Sequence, residues 1–176
     1  VEKFRCCICG NFQPENPLML VYTANIDIST IRLVLSEVAR DKDWGIATID
    51  IKIAFLNAPM PSDEAPVYVT PPAICVHFGL VKPGTIWRVN KAIYGLRQSP
   101  RLWGKERDKQ LRLMRVTFKN KKFKFLQSTI DVALWTLVRE DNQVFDHNRE
   151  VIGYLLTYVD DFFDLFIDEY SLASLE

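Results

Sequence analysis

Residues 151–167 constrain the fold of this chain more than any other stretch. Val151 to Tyr158 is one apolar run, Phe162 to Ile167 is a second, and Val159-Asp160-Asp161 lies between them. The pattern predicts two strands of a hairpin with a tight acidic tip. Burying a strand and then presenting two adjacent carboxylates at its end is costly, because a desolvated carboxylate needs a cation or hydrogen-bond donors to remain charged. A divalent metal answers that need. Asp is also a common turn residue, so the pair taken alone fits an ordinary hairpin turn equally well.

With 176 residues and 48% hydrophobic content, the chain can bury a real core as one unit, or one unit with a smaller lobe. It lacks both an apolar run long enough to span a bilayer and the charged-then-apolar N-terminal pattern of a secretory signal. The expectation is a soluble intracellular protein, or a piece of a longer one. The formal net charge of zero conceals an asymmetry: Lys82 to Lys124 holds 14 basic residues against Glu106 and Asp108, while the remainder holds 8 basic and 20 acidic. A basic middle flanked by acidic ends suits a phosphate-binding surface beside a metal site, or a solvated basic helix and hairpin. Cys6, Cys7 and Cys9 include a C-x-x-C spacing, but a zinc site would need Cys75 and His77 as well. The alternation over Phe4 to Ile8 instead suggests a strand in which thiols serve as small apolar side chains.

Periodicity orders the rest. A strand over residues 3–9 leads through a loop to an apolar segment at Leu18 to Tyr22, and then to a helix capped by Asp27 or Ser29. Ile31, Val34, Leu35, Val38 and Ala39 form its inward stripe. Gly45 to Ile51 alternates as a strand ending at Asp50, and Lys52 to Asn57 fits a helical turn stopped by Pro59 and Pro61. Short strands follow at Val67 to Thr70 and Thr85 to Asn90, separated by a loop. Ser99-Pro100 starts a helix that turns Leu102, Trp103, Leu111 and Met114 inward and Arg101, Lys105, Lys109 and Arg112 elsewhere. A basic hairpin over Thr117 to Gln127, turning near Asn120, and a strand over Val132 to Arg139 complete the set. Interleaving without strict alternation predicts an α+β sheet with helices on one face rather than a doubly wound one.

Two strand ends therefore carry acids, Asp50 on one and Asp160 with Asp161 on the other. If the strands are neighbours, the carboxylates converge. Such a set suits Mg²⁺, which takes hard oxygen ligands and lets substrate phosphates complete its shell. A pair of ions can then serve an in-line displacement at phosphorus.

At this point three ordered segments resemble those of copia-type LTR-retrotransposon reverse transcriptases. Asp50-Ile51-Lys52-Ile53-Ala54-Phe55-Leu56-Asn57 resembles the first catalytic motif, D-x-x-x-A-F-L-N. Residues 91–103, from Lys91-Ala92-Ile93-Tyr94-Gly95-Leu96-Arg97-Gln98-Ser99-Pro100 to Trp103, are similar to K-x-L-Y-G-L-K-Q-A-P-R-x-W, and Tyr158-Val159-Asp160-Asp161 matches the third motif. The resemblance runs from about Lys3 to Leu165.

The resemblance implies a polymerase palm, an antiparallel sheet backed by helices in a ferredoxin-like arrangement, over residues 26–57 and 96–176. A fingers subdomain would occupy residues 1–25 and 58–95. It implies RNA-directed DNA polymerase activity using two Mg²⁺ ions, or Mn²⁺ in their place. Asp50, Asp160 and Asp161 would be catalytic, and the Ile51 carbonyl would join the three acids at the metal. Phe55 would be the steric gate against a 2′-hydroxyl, and Arg5, Tyr94, Arg97 and Gln98 would meet the incoming dNTP. Tyr158, Lys119, Lys121, Lys122 and Lys124 would contact nucleic acid. The implied partners are an RNA or DNA template with its primer, dNTP, and the rest of a Pol polyprotein, including RNase H and integrase, with no membrane. The site of action would be a cytoplasmic particle or the nucleus. The thumb is expected to be absent. Asp164 and Asp168-Glu169 depart from the family by putting acid where an apolar strand ordinarily continues. An inactive nucleic-acid-binding remnant is the competing reading. A metal-dependent nuclease would explain the acids but not residues 94–103.

Overall fold

Most of the apolar runs that suggested strands do form them, and the two over residues 151–167 are the most deeply buried. The computed structural model describes residues 7–14, 21–118, 120–141 and 151–167. It divides into two compact units, one of Val1–Tyr22 with Ile53–Glu106 and the other of Thr23–Lys52 with Arg107–Glu176.

The second unit holds a six-stranded antiparallel sheet. Its strands are β1 (Trp44–Asp50), β4 (Arg115–Phe118), β5 (Lys121–Gln127), β6 (Leu134–Arg139), β7 (Val151–Tyr158) and β8 (Asp161–Ile167). Their spatial order is β1-β8-β7-β6-β5-β4, so the predicted β7–β8 hairpin is central and β1 closes one edge. Helix α1 (Ile28–Val38) belongs to this unit, and helix α4 (Ser99–Leu113) ends in it. Asp27 caps α1 by accepting from the Ser29 backbone N–H at 2.7 Å, which holds its carboxyl below the usual carboxylate range.

The expectation of helices on one face does not hold. Val34 and Val38 of α1 pack with Leu156 and Leu165, whereas Leu111 of α4 packs with Leu155, Trp135, Phe125 and Phe162. Successive residues of a strand point to opposite faces, so α1 and α4 cover opposite sides of the sheet. The reason is visible in β7 and β8, whose near-continuous apolar sequence leaves neither face fit for water. Full burial of a Leu or Phe side chain contributes roughly 1.5–3 kcal/mol.

In the first unit a 3₁₀ turn (Gly10–Phe12) precedes α2 (Ala54–Asn57), α3 (Ala73–His77) and a two-stranded ribbon of β2 (Tyr68–Val69) and β3 (Trp87–Arg88). Backbone bonds from Ala92 to Ala58, Met60 to Asn90 and Val89 to Val67 tie the chain on either side of the ribbon. The short helix α3 breaks what the sequence reads as loop, started by Pro72 in the position where a missing N–H costs nothing. Cys7 and Cys9 are exposed, so they are not the packed strand thiols expected. The strand expected over residues 3–9 is not formed at 7–9, which are irregular, and the expected segment Leu18 to Tyr22 ends in irregular, exposed Val21 and Tyr22; residues 3–6 and 18–20 lie outside the described residues.

Helix α4 begins at the predicted Ser99, but not by the predicted cap. The fully buried Ser99 hydroxyl donates to the Ile93 carbonyl at 2.7 Å and accepts from the Ile93 N–H at 3.0 Å, locking the preceding loop. Leu102, Trp103 and Leu111 are buried as expected, whereas Met114 is exposed. Arg101, expected to point outward, is buried and grips both Glu64 carboxylate oxygens at 2.6 and 2.8 Å. Both bonds come from Nη2, a charge-assisted contact that a hydrophobicity pattern does not register.

Candidate active site

Strand β1 runs antiparallel to β8 from Trp44 opposite Ile167 to Asp50 opposite Asp161. That register brings residues from distant parts of the chain into direct opposition. On the other side of β8, Asp161 faces Tyr158 of β7, and Val159-Asp160 forms the two-residue tip. The Ile51 N–H donates to the Asp160 carbonyl at 3.0 Å, extending the ladder by one bond. Asp50, Ile51, Asp160, Asp161 and Tyr158 thus meet at one end of the sheet. Asp50 and Asp161 are exposed and on the same face, because directly opposed residues of an antiparallel pair share a face.

The tip is held under strain. Val159 has φ of 51°, a left-handed conformation that costs a β-branched residue dearly, and it supplies the turn handedness that a two-residue hairpin needs. Its N–H donates to the Asn25 side-chain oxygen at 3.1 Å, while the neighbouring Ile26 N–H donates to the Thr157 carbonyl at 3.2 Å. The chain entering α1 therefore clamps the acidic turn. Asn25 has no recognisable signal in the sequence. A cavity of about 300 Å³ flanks Asp161, walled by Ile26, Ile31, Leu35, Leu156 and Phe163. Apolar walls weaken the screening of the charge beside them.

Opposed carboxylates are a poor choice for stability, since like charges directly across a strand pair repel. As donors they are hard oxygens, the kind Mg²⁺ selects. Among the described residues no three His, Cys, Asp or Glu side chains gather into a metal-holding group. Asp50, Asp160 and Asp161 are thus carboxylates of a suitable kind at one end of the sheet, not a ready-made metal cage.

A second set of predicted residues collects in the first unit. The Phe55 and Tyr94 rings lie 4.8 Å apart at 54°. Arg97 donates from Nε to the Gly10 carbonyl at 3.0 Å and from its backbone N–H to Gln13 Oε1 at 3.2 Å. Gln98 is buried and accepts from Gln13 Nε2 at 2.9 Å. Gln13 was not singled out by the sequence, since a lone Gln in a loop carries no pattern. A cavity of about 810 Å³ in this unit is bordered by Gln13, Phe12, Tyr68, Trp87 and Arg88. The ribbon sets Tyr68 opposite Arg88, and Trp87 is 41% exposed.

Most arginines of the basic stretch are engaged within the protein. Besides Arg97 and Arg101, Arg107 pairs with Asp108, Arg112 donates to Gln127 and lies 5.8 Å from the Trp135 ring, and Arg115 pairs with Glu140. Lys124 donates to the Glu140 carbonyl, while Lys121 and Lys122 are exposed at the β4–β5 hairpin. Arg5 and Lys119 lie outside the described residues.

The family model described as reverse transcriptase (RNA-dependent DNA polymerase) matches residues 2–166. Two Arabidopsis thaliana proteins are similar over 151 residues, 86% of this chain. They are the Retrovirus-related Pol polyproteins from transposon RE2, at 37% identity, and from transposon RE1, at 33%. The chain spans 9% of the length of each. No solved structure matches it. With three ordered motifs, an acid-bearing pair of adjoining strands and a family match across nearly all of its length, the chain belongs to the reverse transcriptase family, in its copia-type retrotransposon branch.

Proposed function

We propose that this chain is the catalytic core of an RNA-directed DNA polymerase, adding dNTP to the 3′-hydroxyl of a primer paired to an RNA or DNA template. The observation that carries this reading is the direct register of Asp50 with Asp161, beside Asp160 in the turn. A sheet gains nothing from that pairing, so its use lies in what the carboxylates hold. The palm would comprise residues 26–57 and 96–176 and the fingers residues 1–25 and 58–95, a division close to, but not the same as, that of the two compact units. The rest of a Pol polyprotein, RNase H and integrase among it, would accompany this core.

Asp50, Asp160, Asp161 and the Ile51 carbonyl would hold two Mg²⁺ ions. When bound, the ions activate the attacking hydroxyl and stabilise the leaving oxygen. The primer oxygen forms a bond to the α-phosphorus as the bond to pyrophosphate breaks. The chain's own work is positioning and charge. Phe55, braced by Tyr94, crowds the position of a 2′-hydroxyl and favours deoxynucleotides. Arg97 and Gln98 would border the nucleotide, Arg97 with its Nε bonded to the Gly10 carbonyl and Gln98 with its oxygen bonded to Gln13. Arg5 would grip the triphosphate, as a planar guanidinium fork can. Lys119, Lys121, Lys122 and Lys124, together with Tyr158, would meet the duplex, where phosphate contacts add affinity without reading sequence. The exposed aromatic pair Tyr68 and Trp87, with Arg88, suits stacking against unpaired template bases.

Primer extension with Mg²⁺ tests the reading. The wild-type chain extends an annealed DNA primer, and Asp160→Asn reduces the rate by at least about a hundredfold. Equal signals from the two proteins refute it.

A further inference from the structure

Gln13 has no reactive chemistry, yet both ends of its carboxamide are committed. The Arg97 backbone N–H donates to Gln13 Oε1 at 3.2 Å, and Gln13 Nε2 donates to Gln98 Oε1 at 2.9 Å. A backbone amide nitrogen can only donate, so it fixes which end of the Gln13 carboxamide faces it. The oxygen must point to Arg97, and the amino group must therefore point to Gln98. That in turn claims the oxygen of Gln98 and turns the Gln98 amino group, with its two donors, away from Gln13. A reversed Gln98 would set its amino group against that of Gln13, donor to donor, and at a residue 3% exposed little water is at hand to compensate.

The platform under this chain of bonds is rigid. The Ile8 N–H donates to the Tyr94 carbonyl at 2.8 Å, and Arg97 Nε reaches the Gly10 carbonyl. Gly10 and Gly95 meet so closely that a Cβ on Gly10 would collide with the Gly95 carbonyl, and one on Gly95 with that of Ile8. Gly95 also has φ of 88°, which strains any other residue. The 8–13 segment is thus docked by its backbone, and the Gln13 side chain is left to set polarity.

We propose that Gln13 is a positioning residue for the incoming nucleotide, relaying the fixed polarity of the Arg97 amide so that Gln98 presents donors, never an acceptor. The surfaces of a dNTP that a protein meets at its sugar and triphosphate are rich in oxygen acceptors, and a donor is what they require. The inference rests on the reading of Gln98 as a nucleotide contact. It adds the group that orients it.

The experiment compares the wild-type chain with Gln13→Ala, Gln13→Glu, Gln98→Ala and the double variant Gln13→Ala/Gln98→Ala. Binding of dTTP with Mg²⁺ is titrated on a primer-template ending in a dideoxynucleotide, which reports Kd without turnover, and KM and kcat are taken from extension of an ordinary primer. Each single alanine variant raises Kd and KM about tenfold, the effect of one lost hydrogen bond, with kcat changed less than about twofold. The double variant is no worse than Gln98→Ala, because Gln13 acts through it. Gln13→Glu still accepts from the Arg97 amide but cannot donate to Gln98, so Gln98 reverses. Its side-chain amide protons in an ¹H–¹⁵N spectrum then shift with titration of the new carboxylate. Additive effects of the two alanine changes on Kd, or Gln98 amide signals indifferent to Gln13→Glu, overturn the proposal. Failure of the polymerase reading would show separately, as extension that does not depend on Asp160.

Discussion

Asp164 stands in the middle of β8, opposite Ala47 on one side and Leu155 on the other, on the face that α4 covers. It is 4% exposed, and among the described residues its Oδ2 has no hydrogen-bond partner. Burial pushes its carboxyl up from 3.8 to about 6. A carboxyl that ionises near 6 in the fold and near 3.8 in the unfolded chain binds more protons folded than unfolded between those values. Its contribution to stability is therefore fully present below about pH 3.8 and is lost as pH rises through 6. By pH 7.5 the charge costs the fold about 2–3 kcal/mol. Asp164→Asn removes the charge at nearly constant volume. For a chain of this size it should raise the melting temperature at pH 7.5 by roughly 5–10 °C and leave it nearly unchanged at pH 4. Thermal unfolding of both proteins by circular dichroism from pH 4 to 8 checks this. An Asn variant no more stable than wild type at pH 7.5, or a gain of equal size at both pH values, refutes the reasoning.

Two further outcomes follow from charge pairs. Asp161→Asn relieves the repulsion from Asp50 and should raise stability by about 0.5 kcal/mol in low salt without metal, an increment that shrinks as salt is added, while primer extension is lost. Urea unfolding that finds the variant less stable than wild type would contradict the view that the pair is kept at a cost to the sheet. Glu64→Ala strands the buried Arg101 guanidinium, whose Nε already lacks a partner among the described residues, and should cost about 2 kcal/mol in urea unfolding. A change below about 0.5 kcal/mol would mean that water reaches Arg101.

The hairpin of β7 and β8, the strand ending at Asp50, the α1 stripe with its Asp27 cap and the start of α4 were all legible in the sequence. Each is written in a few consecutive residues, through periodicity, a capping side chain or a tight turn, so the information is local. The motif order and the family could be read for the same reason. What only the tertiary structure decided depends on residues far apart in the chain. The register that opposes Asp50 to Asp161 is set by packing along the whole of β1 and β8. Coverage of both sheet faces follows from continuous apolar strands, which periodicity alone cannot assign to one face or two. Arg101 and Ser99 have polar side chains whose burial is stabilised by partners that no local pattern announces. Gln13 and Gln98, 85 positions apart, are joined by a single hydrogen bond. The sequence by itself determined which acids are available and which strands carry them. Folding decided that they face one another and which way the amide of Gln98 points, because orientation is settled by directional bonds between surfaces that meet only when the chain is packed.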